Sequence, residues 1–495
     1  MKSLWQKIDT PAFPELKKDE KAEVVIAGGG ITGLLTAYHL NKQGKQVVLV
    51  EADRLASGTT GHTTAKITAQ HGDRYQSLLH HSGNDVARLY YDAQVDGIRE
   101  IQAIIHEEQI SCEWEVTEAH LFAETEKGKE KLRLEQRAYK QLDIPFSSGE
   151  NTLTMPNQAQ FHPLLFLKEI ASLLTERGVI IYENTPVTKV KEDELETGAG
   201  HTIRFDHFVS ATHFPIFDPF RLLAARTRPE RSYVVAVKPQ SDFPEGYYLS
   251  LDDTVRSIRT SGDHLIIAGE NHRPGEGKDP SFHYDALIAY AKENYGAEEV
   301  TAMWSAHDHL TSDNLPFIGQ MRNNCYVATG FGKWGMTNSV VAAKVITNKI
   351  LGEKDEYAHI FRPSRFAISK DFFKNATNVA THFIEGKVEL VDKRAERLEN
   401  DEGSVVQWRG QRIGAYKDEE GSLHLVDTTC THMGCEVEWN SAEKTWDCPC
   451  HGSRFTIDGE IVEGPAQENL PLIAEEEMAF FIEHEIDKNE QPPKQ

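Results

Sequence analysis

Residues 24–27 (VVIA) form an apolar run without polar alternation, the mark of a strand buried on both faces, and three glycines follow at once. From Ile31 to about Gln43 apolar positions recur at helical spacing, and Gly44 closes the segment as a C-terminal glycine does. The strand at 46–50 (QVVLV) then ends in Glu51, completing a β-α-β unit of about 30 residues. Helical stretches fill roughly 74–110 and 126–142. Pro163 opens another to Arg177, which feeds strands at 179–182 (VIIY) and 187–190 (VTKV). Residues 208–212 (FVSAT) return to the first sheet. Between about 230 and 270 the pattern alternates (YVVAV, YYLSL, SIRTS, LIIAG), which predicts an antiparallel sheet inserted as a substrate domain. Strand, glycine-rich turn and helix recur over 326–350. Helical spacing over 369–386 predicts a linker helix, and from about 388 to 485 short strands and Gly, Asp-Gly or Pro turns predict an all-β module.

Charge adds a second boundary. The 495 residues carry 77 acidic and 53 basic side chains, a net charge of −24, which argues against nucleic acid as a partner. Residues 391–495 hold 24 acidic against 10 basic side chains, as expected of a separate C-terminal module with a solvated acidic surface or a basic partner. No apolar stretch is long enough to span a bilayer, and the N-terminus lacks an apolar signal region, so a cytoplasmic enzyme is expected. Of six cysteines, Cys112 and Cys325 stand apart, whereas Cys430, Cys435, Cys448 and Cys450 crowd into one stretch.

Gly28-x-Gly30-x-x-Gly33 sits between a strand and a helix, with Glu51 at the end of the next strand. In that context glycines let the backbone approach a pyrophosphate, the helix N-terminus stabilises its charge, and the carboxylate binds ribose hydroxyls. The following residues, Asp53 to Ala65 (DRLASGTTGHTTA), resemble the second glycine-and-hydroxyl loop of D-amino-acid-oxidase-like FAD-dependent oxidoreductases. Ala211-Thr212, Asp313-Asn314-Leu315-Pro316-Phe317-Ile318-Gly319 (D-x-x-P-x-I-G) and Ala328–Thr337 (ATGFGKWGMT) match further family segments in family order. The resemblance implies FAD, held by Gly28, Gly30, Gly33, Glu51, Thr59, Thr60, His62, Val187, Ala211, Gly330, Gly332, Gly335, Met336 and Thr337. It also implies oxidation of an amine, an amino acid or, less often, a hydroxy compound by hydride transfer to the flavin.

Two departures affect the substrate. Sarcosine-oxidase-like relatives hold a substrate carboxylate with a Lys where Thr337 stands, and tether flavin through a Cys in the region that here reads Trp304–His309 (WSAHDH). Arg256 or Arg259 on the alternating sheet could bind a carboxylate instead, or be solvated strand positions. His62 occupies a G-x-T-x-H-like frame resembling that of dimethylglycine-dehydrogenase-like members. It is read either as a covalent flavin attachment or as a hydrogen-bonding neighbour. His62, His309, Lys333 and Arg256 are the catalytic candidates, with His307 beside them. No second dinucleotide fingerprint follows residue 33, which favours oxidation of an organic substrate over nicotinamide-driven reduction.

Cys430-x-His432 and Cys448-x-x-His451 offer two thiolates and two imidazoles, a set that suits a 2Fe–2S cluster and that zinc could also accept. The boxes CTHMGC and CPCHGS resemble the Rieske family, which implies a 2Fe–2S cluster on Cys430, His432, Cys448 and His451. Resemblance to cytochrome bc-type members implies a Cys435–Cys450 disulfide. It also implies a hydroxyl donor at Ser453, while the Tyr position is Phe455. One donor fewer predicts a potential below the top of the Rieske range of ~−150 to +300 mV. Only 44 residues follow His451, too few for the mononuclear iron domain of a Rieske oxygenase.

The fold class expected is therefore an α/β (α+β) FAD-binding Rossmann-like domain over residues 1–368, with a substrate-binding antiparallel sheet inserted at about 140–310. A linker helix over 369–387 and an all-β Rieske domain over 388–495 complete it. The expected function is oxidation of an amine or amino-acid-type small molecule at flavin. Electrons then leave through the cluster to a one-electron acceptor protein or quinone. An oxygen-using oxidase with a structural or regulatory cluster, and a redox sensor or electron-transfer protein, are the alternatives.

Overall fold

The computed structural model describes residues 2–216, 218, 223, 226–274, 279–365, 398–408 and 411–473. The chain divides into two compact units, Met1–His272 with Phe282–Asn375, and Arg273–Ser281 with Ala376–Gln495.

In the first unit, β1 (Glu20–Ala27), α1 (Ile31–Lys42) and β2 (Val47–Val50) form the expected β-α-β unit, and β1 and β2 pair in parallel. β3 (Thr202–Ser210) lies in parallel on the other side of β1. Val24 and Ile26 enter one apolar cluster with Leu34 and Leu35, while Val25 and Ala27 enter another with Phe208. Successive side chains of β1 thus fill both faces of the sheet, which is why its sequence shows no alternation.

A nine-stranded sheet carries the long strands β4 (Thr227–Lys238) and β5 (Glu299–Thr311), paired antiparallel along their length. It also takes Lys66–Ile67, Glu115–Phe122 and Thr152–Gln160, so it recruits chain from well before residue 140. Glu115–Phe122 (EVTEAHLF) escapes a pattern search because its first four residues are exposed or half-buried. The chain then returns to the first sheet through Phe317–Arg322 and β6 (Cys325–Thr329), and ends this unit's core in α2 (Gly335–Leu351). The helical stretch at 74–110 is two helices, Arg74–Ser82 and Asn84–Glu107, because Gly83 between them adopts φ +86°.

The second unit contains a three-stranded antiparallel sheet, Glu402–Trp408, Gln411–Lys417 and Leu423–Asp427, and a four-stranded one, Glu438–Asn440, Thr445–Asp447, Arg454–Phe455 and Ile461–Glu463. Trp446 and Phe455 are fully buried in its core with Val426, Val437 and the four clustered cysteines. The linker helix expected over 369–387 lies outside the described residues. Among the described residues no helix is long and apolar enough to cross a membrane.

Candidate functional site: a nucleotide cradle and a two-loop metal centre

Gly28 follows β1 with φ +108°, and its N–H donates to the Val50 carbonyl at 2.8 Å. A Cβ on Gly28 would lie 2.4 Å from the Ala211 oxygen, and one on Gly33 would lie 1.9 Å from the Gly28 oxygen. The turn is therefore packed backbone on backbone, and a side chain would fill the space through which a ligand approaches. Gly30 caps α1 without a side-chain hydrogen bond, which leaves the N-terminus of that helix open to an anion. The Glu51 carboxylate accepts from the Gly29 N–H at 2.6 Å and from the Asp53 N–H at 3.1 Å, and burial pushes its pKa up.

A short 3₁₀ turn, Thr59–His62, closes over this cradle: the Ile31 N–H donates to Thr60 Oγ1 at 3.3 Å. Thr59 donates to the His307 carbonyl at 3.4 Å. The half-buried His62 ring stays within its own turn, with Nδ1 2.9 Å from the Gly58 oxygen, and Trp304 Nε1 donates to the His62 carbonyl at 2.9 Å. Ala211 donates its N–H to Ala27 at 2.8 Å. Val187 is buried among Val25, Ala27, Val48 and Val50.

The glycine-rich turn before α2 has Gly330, Gly332 and Lys333 at φ +74°, +59° and +72°. Gly335 opens α2, and Met336 and Thr337 are buried in its first turn. Thr32 in the first turn of α1 donates to Ser339 in α2 at 2.8 Å, so the two helix N-termini stand side by side. The structure thus gathers Gly28, Gly30, Gly33, Glu51, Thr60 and Ala211 around one turn, and sets the start of α2 next to it. The cradle fits a dinucleotide: it is backbone-lined, shaped by glycine, and anion-favouring at one end with a carboxylate at the other.

The catalytic candidates divide. His309 and His307 are buried on β5, with ring centroids 5.5 Å apart. Lys333 Nζ pairs with Glu230 at 2.7 Å, and its backbone N–H donates to Asp308 at 2.5 Å. Burial nevertheless lowers the Lys333 pKa. Arg256 pairs with Glu270 at 2.8 Å and lies over Tyr290, while Arg259 donates to the Thr64 and Ala65 carbonyls, both at 2.9 Å. Arg256 is thus paired with a carboxylate and Arg259 with two backbone carbonyls.

Sequence reasoning missed His71 and Lys66. His71 is buried, stacked on Trp334 with centroids 4.4 Å apart, and bonded to Tyr90 OH and the Thr68 carbonyl at 2.7 Å each. Burial and then Arg74 hold its pKa well below the usual histidine range, so the ring is neutral. Lys66 is buried against the Ser257 hydroxyl and the Tyr248 carbonyl, and burial, aided by Arg259, pushes its pKa down to about 7. Neither position belongs to a spacing motif.

In the second unit, the two cysteine loops repeat one hydrogen-bond pattern. Cys430 N–H donates to Cys435 O and Cys448 N–H to Ser453 O, each at 2.7 Å; Gly434 N–H donates to Cys430 O at 2.8 Å and Gly452 N–H to Cys448 O at 3.0 Å. Gly434 and Gly452 sit in the left-handed region, φ +76° and +85°, which lets both loops reverse tightly. Cys430 and Cys448 are buried free cysteines, and the interaction between them holds the Cys430 thiol below the usual thiol range. The His432 and His451 rings stand perpendicular, 4.9 Å apart. Cys435 and Cys450 form a disulfide tying the loops together. Ser453 Oγ accepts from the Ala466 N–H at 3.0 Å, and its hydroxyl favours the thiolate form of Cys430. Two buried free thiols and two adjacent imidazoles on the same pair of loops are the donor set of a 2Fe–2S cluster with mixed Cys and His ligation.

Comparison with known proteins supports both cofactors. Residues 23–349 match the family described as FAD dependent oxidoreductase, and residues 389–474 match the Rieske [2Fe-2S] domain. The chain is 45% identical over 488 residues, 94% of its length and 96% of the relative's, to the Bacillus subtilis (strain 168) protein YhfW, whose name is that of a Rieske 2Fe-2S iron-sulfur protein. Among solved structures, glycine oxidase from Geobacillus kaustophilus aligns with a TM-score of 0.60 at 18% identity, covering 70% of this chain and 100% of that one. L-proline dehydrogenase from P. horikoshii aligns with a TM-score of 0.58 at 18% identity, covering 70% and 98%. At that identity the structural likeness establishes the fold alone.

Proposed function

The chain belongs to the FAD-dependent oxidoreductase family and carries a C-terminal Rieske 2Fe–2S domain, and from that premise we propose that it is a dehydrogenase of amines or amino-acid-type small molecules. With both cofactors bound, FAD supplies hydride acceptance and the cluster supplies single-electron transfer to an external acceptor protein or quinone. Gly28, Gly30 and Gly33, with the N-terminus of α1, hold the pyrophosphate, and Glu51 holds the ribose. Thr59, Thr60, Ala211 and the Gly330–Thr337 turn position the rest of the cofactor. Cys430, Cys448, His432 and His451 hold the cluster, and the Cys435–Cys450 bridge fixes the spacing of their loops. Neutral His71 keeps the Trp334 ring ordered at the start of α2 without adding charge there.

One observation carries the reading: a chain with the fold and residue set for a two-electron cofactor also has those for a one-electron cofactor. An anaerobic screen of the holoprotein against secondary amines, amino acids, polyamines and hydroxy acids tests it. Flavin absorbance and the electron paramagnetic resonance of the reduced cluster would be followed together. A compound that bleaches flavin and then brings up the cluster signal supports the dehydrogenase. Bleaching with the cluster left oxidised, and peroxide formed stoichiometrically in air, would replace it with an oxidase.

A further inference from the structure

His307 and His309 are two apart on β5, so their side chains share one face of the sheet. His213 reaches the same place from the loop that follows β3, held at φ +63° with its carbonyl accepting from Thr329 Oγ1 at 2.5 Å. One ligand atom from each of the three imidazoles lies within 4.8 Å of the other two. The ring centroids are 5.4 Å (His213–His307), 4.9 Å (His213–His309) and 5.5 Å (His307–His309) apart. Three imidazoles converging in this way, from elements more than 90 residues apart in the chain, are more than sheet packing requires.

We propose that His213, His307 and His309 form a site for a divalent cation of the zinc class, with a fourth coordination position open. Zinc with nitrogen ligands at ~2.0–2.1 Å needs ligand atoms roughly 3.4 Å apart, so each ring closes in by a small rotation. His213, half-buried on a loop, has the freedom to do so. Imidazole ligands suit zinc and its neighbours in the first transition row over magnesium or calcium.

A carboxylate, Asp308, stands beside the three rings. Its Oδ1 lies 3.9 Å from His213 Nδ1, and it is held in place by the His309 N–H at 2.7 Å and the Lys333 N–H at 2.5 Å. Arg231, a buried cation, stands on β4 in register with His307. With three neutral imidazoles as ligands, an anion such as hydroxide or a small carboxylate is the favoured fourth ligand. The Thr59 and Gly332 contacts to the carbonyls of His307 and His309 tie the site to both loops of the nucleotide cradle.

Zinc is the probe. The full-length protein, with FAD and cluster in place, is treated with a chelator, loaded with Zn²⁺, and freed of excess by gel filtration. Zinc, iron and FAD are then counted per chain, and the zinc K-edge absorption spectrum is recorded. The expected result is one zinc per FAD with imidazole scattering, falling at least tenfold in both His213→Gln and His307→Gln, while iron and FAD contents stay unchanged. Should His307→Gln lose FAD or iron through misfolding, His213→Gln decides, since its side chain is the half-buried one. Zinc well below one per FAD in the wild type, or retained in His213→Gln, overturns the proposal; the second result would place the metal elsewhere.

Discussion

Replacing Ser453 with alanine should lower the reduction potential of the cluster. Ser453 Oγ accepts from the Ala466 N–H at 3.0 Å, which leaves its own hydroxyl hydrogen to donate to the Cys430 sulfur, the role that the resemblance to cytochrome bc-type Rieske domains implies. Reduction adds negative charge to the cluster, and a donor to one of its sulfurs is worth more in the reduced state. A hydrogen bond to a charged group contributes about 1.5–3 kcal/mol. If about 1.4 kcal/mol of that is specific to the reduced state, the shift for one electron is roughly 60 mV. Ser453→Ala should therefore titrate roughly 60 mV lower, read from the resonance signal of the reduced cluster against applied potential. The Ala466 N–H also loses its acceptor, so some stability is lost, and cluster content per chain must be measured alongside. A fully loaded variant whose potential is unchanged or higher would refute the argument. Phe455, fully buried on the adjoining strand, permits the opposite experiment: Phe455→Tyr restores a second hydroxyl and should raise the potential.

Gly33→Ala places a methyl 1.9 Å from the Gly28 oxygen, a contact relieved only by moving α1 off the turn. Overpacking of this kind costs ~1–3 kcal/mol, so FAD affinity should fall by roughly 5- to 150-fold, read as FAD retained after dialysis, while iron content is unchanged. Cys450→Ser opens a bridge that closes a loop of separation 15, a loss of about 3 kcal/mol; cluster loss on heating should begin at lower temperature, and an unaltered profile would show the bridge to be dispensable. Lys66, pushed down to about 7 by burial, has an unfolded value of ~10.4. Between those values the unfolded chain binds the extra proton, so the stability of the flavin-binding unit should rise with pH from 7 to about 10. Lys66→Met should flatten that rise in denaturant titrations; an unchanged slope would assign it to other groups.

Where chemistry depends on neighbours in sequence, it was legible there. The β1 turn, Glu51 and the two cysteine loops are local constellations, and spacing reveals them because a tight turn or a bidentate loop imposes it. Arg256 shows the converse. An arginine on an alternating strand looks available until the partner strand brings Glu270 against it. The same holds for His71, whose ring is fixed by Trp334 more than 260 residues later, and for His213, which meets β5 only through the sheet crossover. Strand Glu115–Phe122 was missed because half of it faces outward with polar side chains. Long-range pairing, not composition, decides such positions.

The cysteine loops also constrain how the protein matures. The sulfurs of Cys435, Cys448 and Cys450 lie within 4.8 Å of one another, so a newly folded chain offers Cys435 two thiols of similar reach. Oxidation of Cys435 and Cys448 to a disulfide, with oxygen or another disulfide taking the two electrons, would remove a cluster ligand until a reductant reopened the bridge. Iron and sulfide captured first by Cys430 and Cys448 take the wrong thiol out of competition and leave Cys450 as the sole partner. The inorganic centre then acts as a protecting group for its own scaffold. Chains made under iron starvation should accumulate a misbridged form that later iron cannot rescue without a reductant.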